Sequence, residues 1–286
     1  MKNQSENENW DIVVSPNRSL FDLNLKELFS YKDLLFLIVK RDFKTQYKQT
    51  VFGPLLIFVQ PLALTLTYAF IFGGIAGIST DGIPKIVFYL SGLTLWTYFA
   101  DCLTKSSNTF IGNTGIFGKV YFPRLIIPVS VLLSNLIKLG AQFILFLILW
   151  LYYFFSSDFF QPHFELIYLF PLLIVIMAGL GMSFGLLISS FTIKYRDLTF
   201  FIGFGVQVLM YCSSVIVPVS TFPLHWRKLI MLNPMCSIIE TFKYIFLGNG
   251  HFSWFYIFYS FTFMVIMLFT SVLIFNKFEK TFMDTV

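Results

Sequence analysis

Charge is what this chain has least of. Only 12% of its 286 residues are Asp, Glu, Lys or Arg, about half the share usual in soluble domains. With 57% hydrophobic residues and a mean hydropathy of +0.76, a soluble globular fold is excluded. Such a chain must satisfy its backbone inside lipid, as a helical bundle or a closed barrel. The short alternating strands of a barrel are absent as well; the apolar stretches are long and continuous, which predicts helices. Cysteine is sparse: Cys102, Cys212 and Cys236 have no CxxC spacing and are read as buried small apolar residues. The histidines, His163, His225 and His251, lie far apart with no metal-ligand spacing, and no Ser/His/Asp arrangement is legible. Met1 to Asn17 is polar and mixed in charge, so no cleavable signal peptide is expected there.

What is present is apolar sequence cut by short polar loops. Six stretches, about residues 52–72, 86–104, 125–155, 166–190, 198–217 and 252–275, are long enough to cross a bilayer. Gly73 and Gly77 have GxxxG spacing that either packs the first helix or ends it, while Gly179, Gly181 and Gly185 are expected on the packing surface of the fourth. The 20% aromatic content, with 38 Phe, is read mainly as lipid-facing Phe and interfacial Tyr and Trp. A minority is left to line a path.

Before the first span, Asn24 and Glu27 have capping-box spacing, and Leu25, Leu28 and Phe29 form an apolar edge beside Lys26 and Lys32. This predicts an amphipathic helix lying in the membrane surface. Arg41, Lys44 and Lys48 then share one helical face, to meet lipid headgroups, a partner or a phosphate-bearing substrate. Residues 220–250 are only half apolar. They are read as two short helices broken at Asn233-Pro234 that do not span, with room to dip back into the membrane. The chain thus divides into an N-terminal region, residues 1–50, and a membrane domain, residues 51–286.

Basic residues crowd one side of this topology. The N-terminal region carries Lys2, Arg18, Lys26, Lys32, Lys40, Arg41, Lys44 and Lys48; the same side holds Lys105, Lys119, Arg124, Lys194, Arg196, Lys277 and Lys280. The other side has only Lys85, Arg227, Lys228 and Lys243. The positive-inside rule therefore predicts cytoplasmic termini and a cytoplasmic connection over residues 108–124. The net charge of +5 follows from this bias and is no signal for nucleic acid.

That connection contains GNTGIFGKV, which brushes against a phosphate loop. The motif needs G-x-x-x-x-G-K-[ST] after a strand; here Asn113 and Val120 occupy the first and last positions, and a membrane span precedes it. ATP, if used, is bound by another chain. Two polar stripes are candidates for a translocation path or for helix–helix hydrogen bonding: Thr97 and Tyr98 on the second span, and Gln207, Tyr211 and Ser214 at i, i+4 and i+7 on the fifth. Asp101 should face protein, water or Lys105. Lys138 is either buried against partner groups or marks a helix partly outside the hydrocarbon.

Three segments, in order, resemble type-2 ABC exporter permeases for polysaccharides: KRDFKTQYKQTVFGPLLIFVQPL, GKVYFPRLIIP and LNPMCSIIETFKYIFLG. One departure is Leu55-Leu56-Ile57, where the family often has a Trp. The resemblance implies an all-α membrane protein with six transmembrane helices and an N-terminal amphipathic interface helix. A cytoplasmic coupling helix would lie between spans two and three, and re-entrant periplasmic gate helices between spans five and six. Two copies would form a channel in a bacterial inner membrane, each docking a separate subunit that binds ATP and magnesium; this chain would hold no cofactor and be no enzyme. The coupling segment becomes 104–124, with Asn113, Gly115, Gly118, Lys119, Phe122 and Arg124 as its contact residues. The gate segment becomes 220–250, with Trp226, Asn233 and Pro234. The cargo would be a polyprenyl-pyrophosphate-linked glycan such as O-antigen, with capsule and teichoic-acid polymers as near relatives. Its headgroup would be met by Arg41, Lys44 and Lys48 and its chain by the two polar stripes. A lipid or drug exporter on the same scaffold differs only in cargo. A multispan glycan-processing enzyme would need a cluster of carboxylates or histidines, which the spans do not offer.

Overall fold

In the computed structural model of the chain, described over residues 29–47, 53–113, 115, 122–156, 160–192, 194–195 and 197–283, every regular element is helical. Helix α1 is Lys32–Tyr47, with Asp33 in its first turn and Lys44 in its last, each at the end the helix dipole favours. It joins Leu34 to Val39 and most of the basic run in one helix, packed along α5. The predicted helix start near Asn24 and the residue Lys48 lie outside the described residues.

The first span is α2, Leu56–Tyr68, continued by a wider-wound turn Ala69–Ile75. Gly77 follows at φ +63° with open space around it, so this GxxxG spacing ends a helix rather than packing one. Helices α3 (Lys85–Ser107), α5 (Ile126–Ser156), α6 (Leu169–Thr192) and α10 (Trp254–Met283) are the other long apolar ones, with the short α4 (Thr109–Gly112) after α3. Among the described residues, five helices are long and apolar enough to cross a membrane.

Helix α3 is the axis of the bundle. It is buried along most of its length and packs most extensively on α6. Two glycines make that approach close. A Cβ on Gly181 would lie 2.8 Å from Cys102 Cβ, and one on Gly185 would lie 2.5 Å from Ser106 Cβ and 2.8 Å from the Leu103 carbonyl oxygen. Apolar driving force between helices is weak in lipid, so backbone approach of this kind carries the packing. Gly179 faces the other way, toward Met264 of α10.

The expected fifth span is corrected. Its helix, α7, is Leu198–Tyr211, 14 residues, about 21 Å long and short of the ~30 Å hydrocarbon core. Residues 212–217 leave the helix, with Ser214 at φ +31°. Then come α8 (Leu224–Met231) and α9 (Pro234–Leu247), bent by 105° at the break between them. This pair raises the candidate spans to six only if it is counted as one. The break falls at Asn233-Pro234, as read from sequence, because Pro234 opens α9 where no N–H donor is missed and Asn233 caps it, accepting from Met235 N at 3.1 Å.

The aromatic residues have a role beyond lipid contact. Phe143, Phe146 and Trp150 of α5, Phe170 of α6, and Phe242 and Phe246 of α9 form one packed cluster with ring centroids 4.6–6.5 Å apart. Trp150 Nε1 donates to the Phe246 carbonyl at 2.7 Å. This cluster seats α9 against the bundle.

Candidate functional site

Irregular backbone at membrane depth survives only where protein satisfies its polar groups. Residues 213–216 are buried, and the bent pair supplies their partners. Asn233 Nδ2 donates to the Cys212 carbonyl at 3.1 Å and to Ser213 Oγ at 2.8 Å. Lys243 Nζ donates to the Ser214 carbonyl at 2.6 Å. That lysine is 1% exposed, pairs with Glu240 at 3.7 Å and lies 3.9 Å from the Phe88 ring centroid. Glu240 Oε2 in turn accepts from His251 N at 3.1 Å. One ion pair on α9 thus ties the broken end of α7, the start of α3 and the lead-in to α10.

Asp81, in the loop between the first two spans, closes the same end of the bundle. Its carboxylate accepts from Ser220 Oγ at 2.6 Å and 2.8 Å, and its carbonyl from Asn249 Nδ2 at 2.6 Å. Arg227 holds the following turn through the Phe222 and Ser220 carbonyls. Of the three gate residues named from sequence, Asn233 and Pro234 make the bend and Trp226 is half exposed beside His225. Replacing Asn233 by Ala is expected to cost about 2–3 kcal/mol, the sum of a lost cap and two lost donor contacts. Asn233→Asp keeps the cap and should recover only the smaller share, read from the melting temperature of the purified protein.

The polar stripes do not form one surface. Thr97 Oγ1 donates to Gln142 Oε1 of α5 at 2.8 Å, and Tyr98 is 4% exposed within the core. Gln207 and Tyr211 are exposed on α7 and bonded to each other at 3.2 Å. Ser214 is buried beyond the helix end, so the i, i+4, i+7 register with Gln207 and Tyr211 is lost.

At the opposite end, α3 runs into α4. Phe110 is fully buried and stacks on Phe275 of α10 at 4.5 Å. Phe122 and Arg124 are buried as well, Phe122 in the cluster with Phe110, Ile38 and Ile126. They hold the connection to the spans rather than present it to solvent. Asn113 bonds back to the Thr109 carbonyl at 2.9 Å, and Gly115 faces open space. Gly118 and Lys119 lie outside the described residues. Arg41 and Lys44 are exposed on α1, with Arg41 paired to Asp42 at 2.8 Å.

The sequence pattern of ABC-2 type transporters matches residues 33–247. The chain belongs to the ABC-2 type transporter family. It is a multi-pass membrane protein, the transport component of an ABC system rather than a catalytic one, and an ABC-2 permease works with an ATP-binding subunit. The O-antigen export system permease protein RfbA of Klebsiella pneumoniae is 29% identical over 262 residues, 91% of this chain and 96% of that protein. RfbA of Myxococcus xanthus is 25% identical over 225 residues, 78% and 83% of the two chains. The polysialic acid transport protein KpsM of Escherichia coli is 26% identical over 203 residues, 70% and 76%.

Sequence reasoning did not single out Asp81, Glu240 or Gln142 in this ABC-2 permease. Asp81 carried a signal, a lone acid before Gly in a loop, where φ +53° suits Asp. Gln142 carried none beyond being polar inside a span.

Proposed function

We propose that this permease forms the membrane channel of an ATP-driven exporter for a polyprenyl-pyrophosphate-linked polysaccharide, with O-antigen as the cargo. The observation that carries the reading is similarity to O-antigen export permeases along nearly the whole chain, 91% of it for the Klebsiella protein. Two copies enclose the path. The exposed apolar flanks of α2 with its continuation and of α7, including Phe58, Phe70, Phe200 and Phe204, support a second copy beside lipid as their neighbour. Gln207 and Tyr211 offer a polar, ring-bearing edge on that flank, suited to a glycan's hydroxyls and apolar sugar faces.

Each copy docks one ATP-binding subunit, which holds ATP and magnesium, through residues 104–124. In this reading Asn113, Gly115, Gly118 and Lys119 meet the subunit, while Phe122 and Arg124 transmit its movement into the spans. The basic bias of the sequence supports cytoplasmic termini in a bacterial inner membrane, and in this reading the bent pair serves as a gate on the periplasmic side. Arg41, Lys44 and Lys48 guide the charged headgroup to the entrance.

A capsular polymer is the second cargo reading, favoured by the polysialic acid transport relative at lower coverage. Deleting the gene and restoring it on a plasmid with its ATP-binding subunit separates the two. Loss of the O-antigen ladder with capsule intact is expected. A strain that keeps both surface polymers sinks the proposal.

A further inference from the structure

At the end of the bundle that carries the 104–124 connection, α1, α3 and α5 line a half-open cavity of about 340 Å³. Its walls are Asp42, Phe43, Thr45 and Gln46 of α1, Lys105 of α3, and Val131, Ser134 and Lys138 of α5. The helical spacings explain the convergence. Asp101 and Lys105 are one turn apart on α3, Ser134 and Lys138 one turn apart on α5, and Asp42, Thr45 and Gln46 share a face of α1.

The charges in this corner do not cancel. Lys138 is neutralised by Asp101, at 2.8 Å between spans. Asp42 is engaged by Arg41. Lys105, half-buried, donates to Asn135 Oδ1 at 2.8 Å, and among the described residues that neutral amide is its only hydrogen-bond partner. Asn135 is itself fixed, its Nδ2 directed at Cys102 Sγ 3.8 Å away, which leaves its oxygen for Lys105. An ammonium has three N–H donors, so Lys105 keeps unspent donors at the cavity wall. A second group there is also unspent: Ser134 Oγ is buried without a hydrogen-bond partner among the described residues. Asp101 and Asp42 stand nearby but are taken up by Lys138 and Arg41, and a cation inside a membrane bundle that is bonded to no carboxylate marks a place where an anion can come.

The shape says which anion. Lys105 and Ser134 offer donors from two spans, an arrangement a tetrahedral oxyanion can accept, and Lys138, held by Asp101, stands on the same wall. Phe43 and Val131 make part of the same wall apolar. Donors beside hydrocarbon fit a phosphate that is attached to a lipid better than one free in water.

We propose that this cavity is a binding site for the phosphate of a lipid headgroup, with Lys105 as the residue that takes its charge and Ser134 as a second donor. Resting on the export reading above, the phosphate is that of the polyprenyl-linked cargo; the same chemistry would accept an anionic phospholipid. Lys105 and Lys138 are half-buried, whereas Arg41 and Lys44 stay exposed on α1. The lipid meets them first and Lys105 afterwards.

The test uses the permease assembled with its ATP-binding subunit in phosphatidylcholine nanodiscs. Binding of polyprenyl pyrophosphate, phosphatidylglycerol and inorganic pyrophosphate is measured for the wild type and for Lys105→Gln, Lys105→Arg and Ser134→Leu. Gln keeps a bond to Asn135 while removing the charge, and Leu fills the cavity from the opposite helix. About a tenfold loss of lipid-phosphate binding is expected for both Lys105→Gln and Ser134→Leu, with Lys105→Arg within threefold of wild type. Tighter binding of polyprenyl pyrophosphate than of phosphatidylglycerol assigns the site to cargo, and the reverse assigns it to bulk lipid; either supports a lipid-phosphate site. Wild-type affinity of Lys105→Gln and Ser134→Leu for both lipids overturns it, as does binding of inorganic pyrophosphate as tight as that of either lipid. Failure of the export reading would show separately, as surface polymers retained in the deletion strain while these variants still lose lipid binding.

Discussion

Lys243→Met should leave the permease markedly less stable, by about 3–5 kcal/mol, the usual cost of removing one partner from a buried ion pair. Three losses coincide. Glu240 is 2% exposed and would be left as a buried carboxylate whose Oε1 has no hydrogen-bond partner among the described residues. The Ser214 carbonyl would lose its donor in a stretch already outside any helix. The cation over the Phe88 ring would disappear. The effect should be visible as a lower melting temperature of the purified protein and as reduced export. Glu240→Gln with Lys243→Met removes both charges, and a buried pair replaced as a unit often costs little. The double variant should therefore recover much of the stability. If instead the two losses simply add, the pair is not the unit described.

The second large effect belongs to the contact between α3 and α6. Gly185→Leu places a Cβ 2.5 Å from Ser106 Cβ and 2.8 Å from the Leu103 carbonyl, and two of the three nearest atoms are backbone and cannot rotate aside. Overpacking alone costs about 1–3 kcal/mol, and here the helices must also separate. Failure to accumulate in the membrane is expected. Gly179→Ala is the contrast: its near neighbours are side-chain atoms of Met264, which can move, so expression near the wild-type level is expected. Equal behaviour of the two variants would show that the glycine contact does not hold the bundle.

Much of this architecture was legible because hydrophobicity is continuous where helices span. The starts and ends of α3, α5 and α6 and the start of α10 lie close to the stretches read from sequence, while α10 runs on to Met283, eight residues past the expected end, through what was read as a polar tail. Asn233-Pro234 announced its bend because cap and helix-start preferences are local. The end of α7 did not announce itself. Residues 212–217 are as apolar as the helix before them, and what stops the helix is a set of donors some twenty to thirty residues later in the chain, Asn233 and Lys243. Spacing likewise placed Asp101 one turn from Lys105, yet its partner is Lys138 on another span. Periodicity tells which residues share a face and not what that face meets. Thr97 shows the same limit, since its neighbour Gln142 comes from α5. Phe122 and Arg124 were read as contact residues of the coupling segment, and their burial, Phe122 in the cluster with Phe110 and Phe275, could not be read from their place in a connection.

Helix α7 has one further property. Met210 is its only buried residue, and Phe200, Phe201 and Phe204 stand clear of the chain. Its fastening is concentrated at the Tyr211 end, where Asn233 and Lys243 grip the backbone just beyond it. Any movement of α7 that carries the Tyr211 end with it must therefore break the ion-pair network that α9 holds across the end of the bundle.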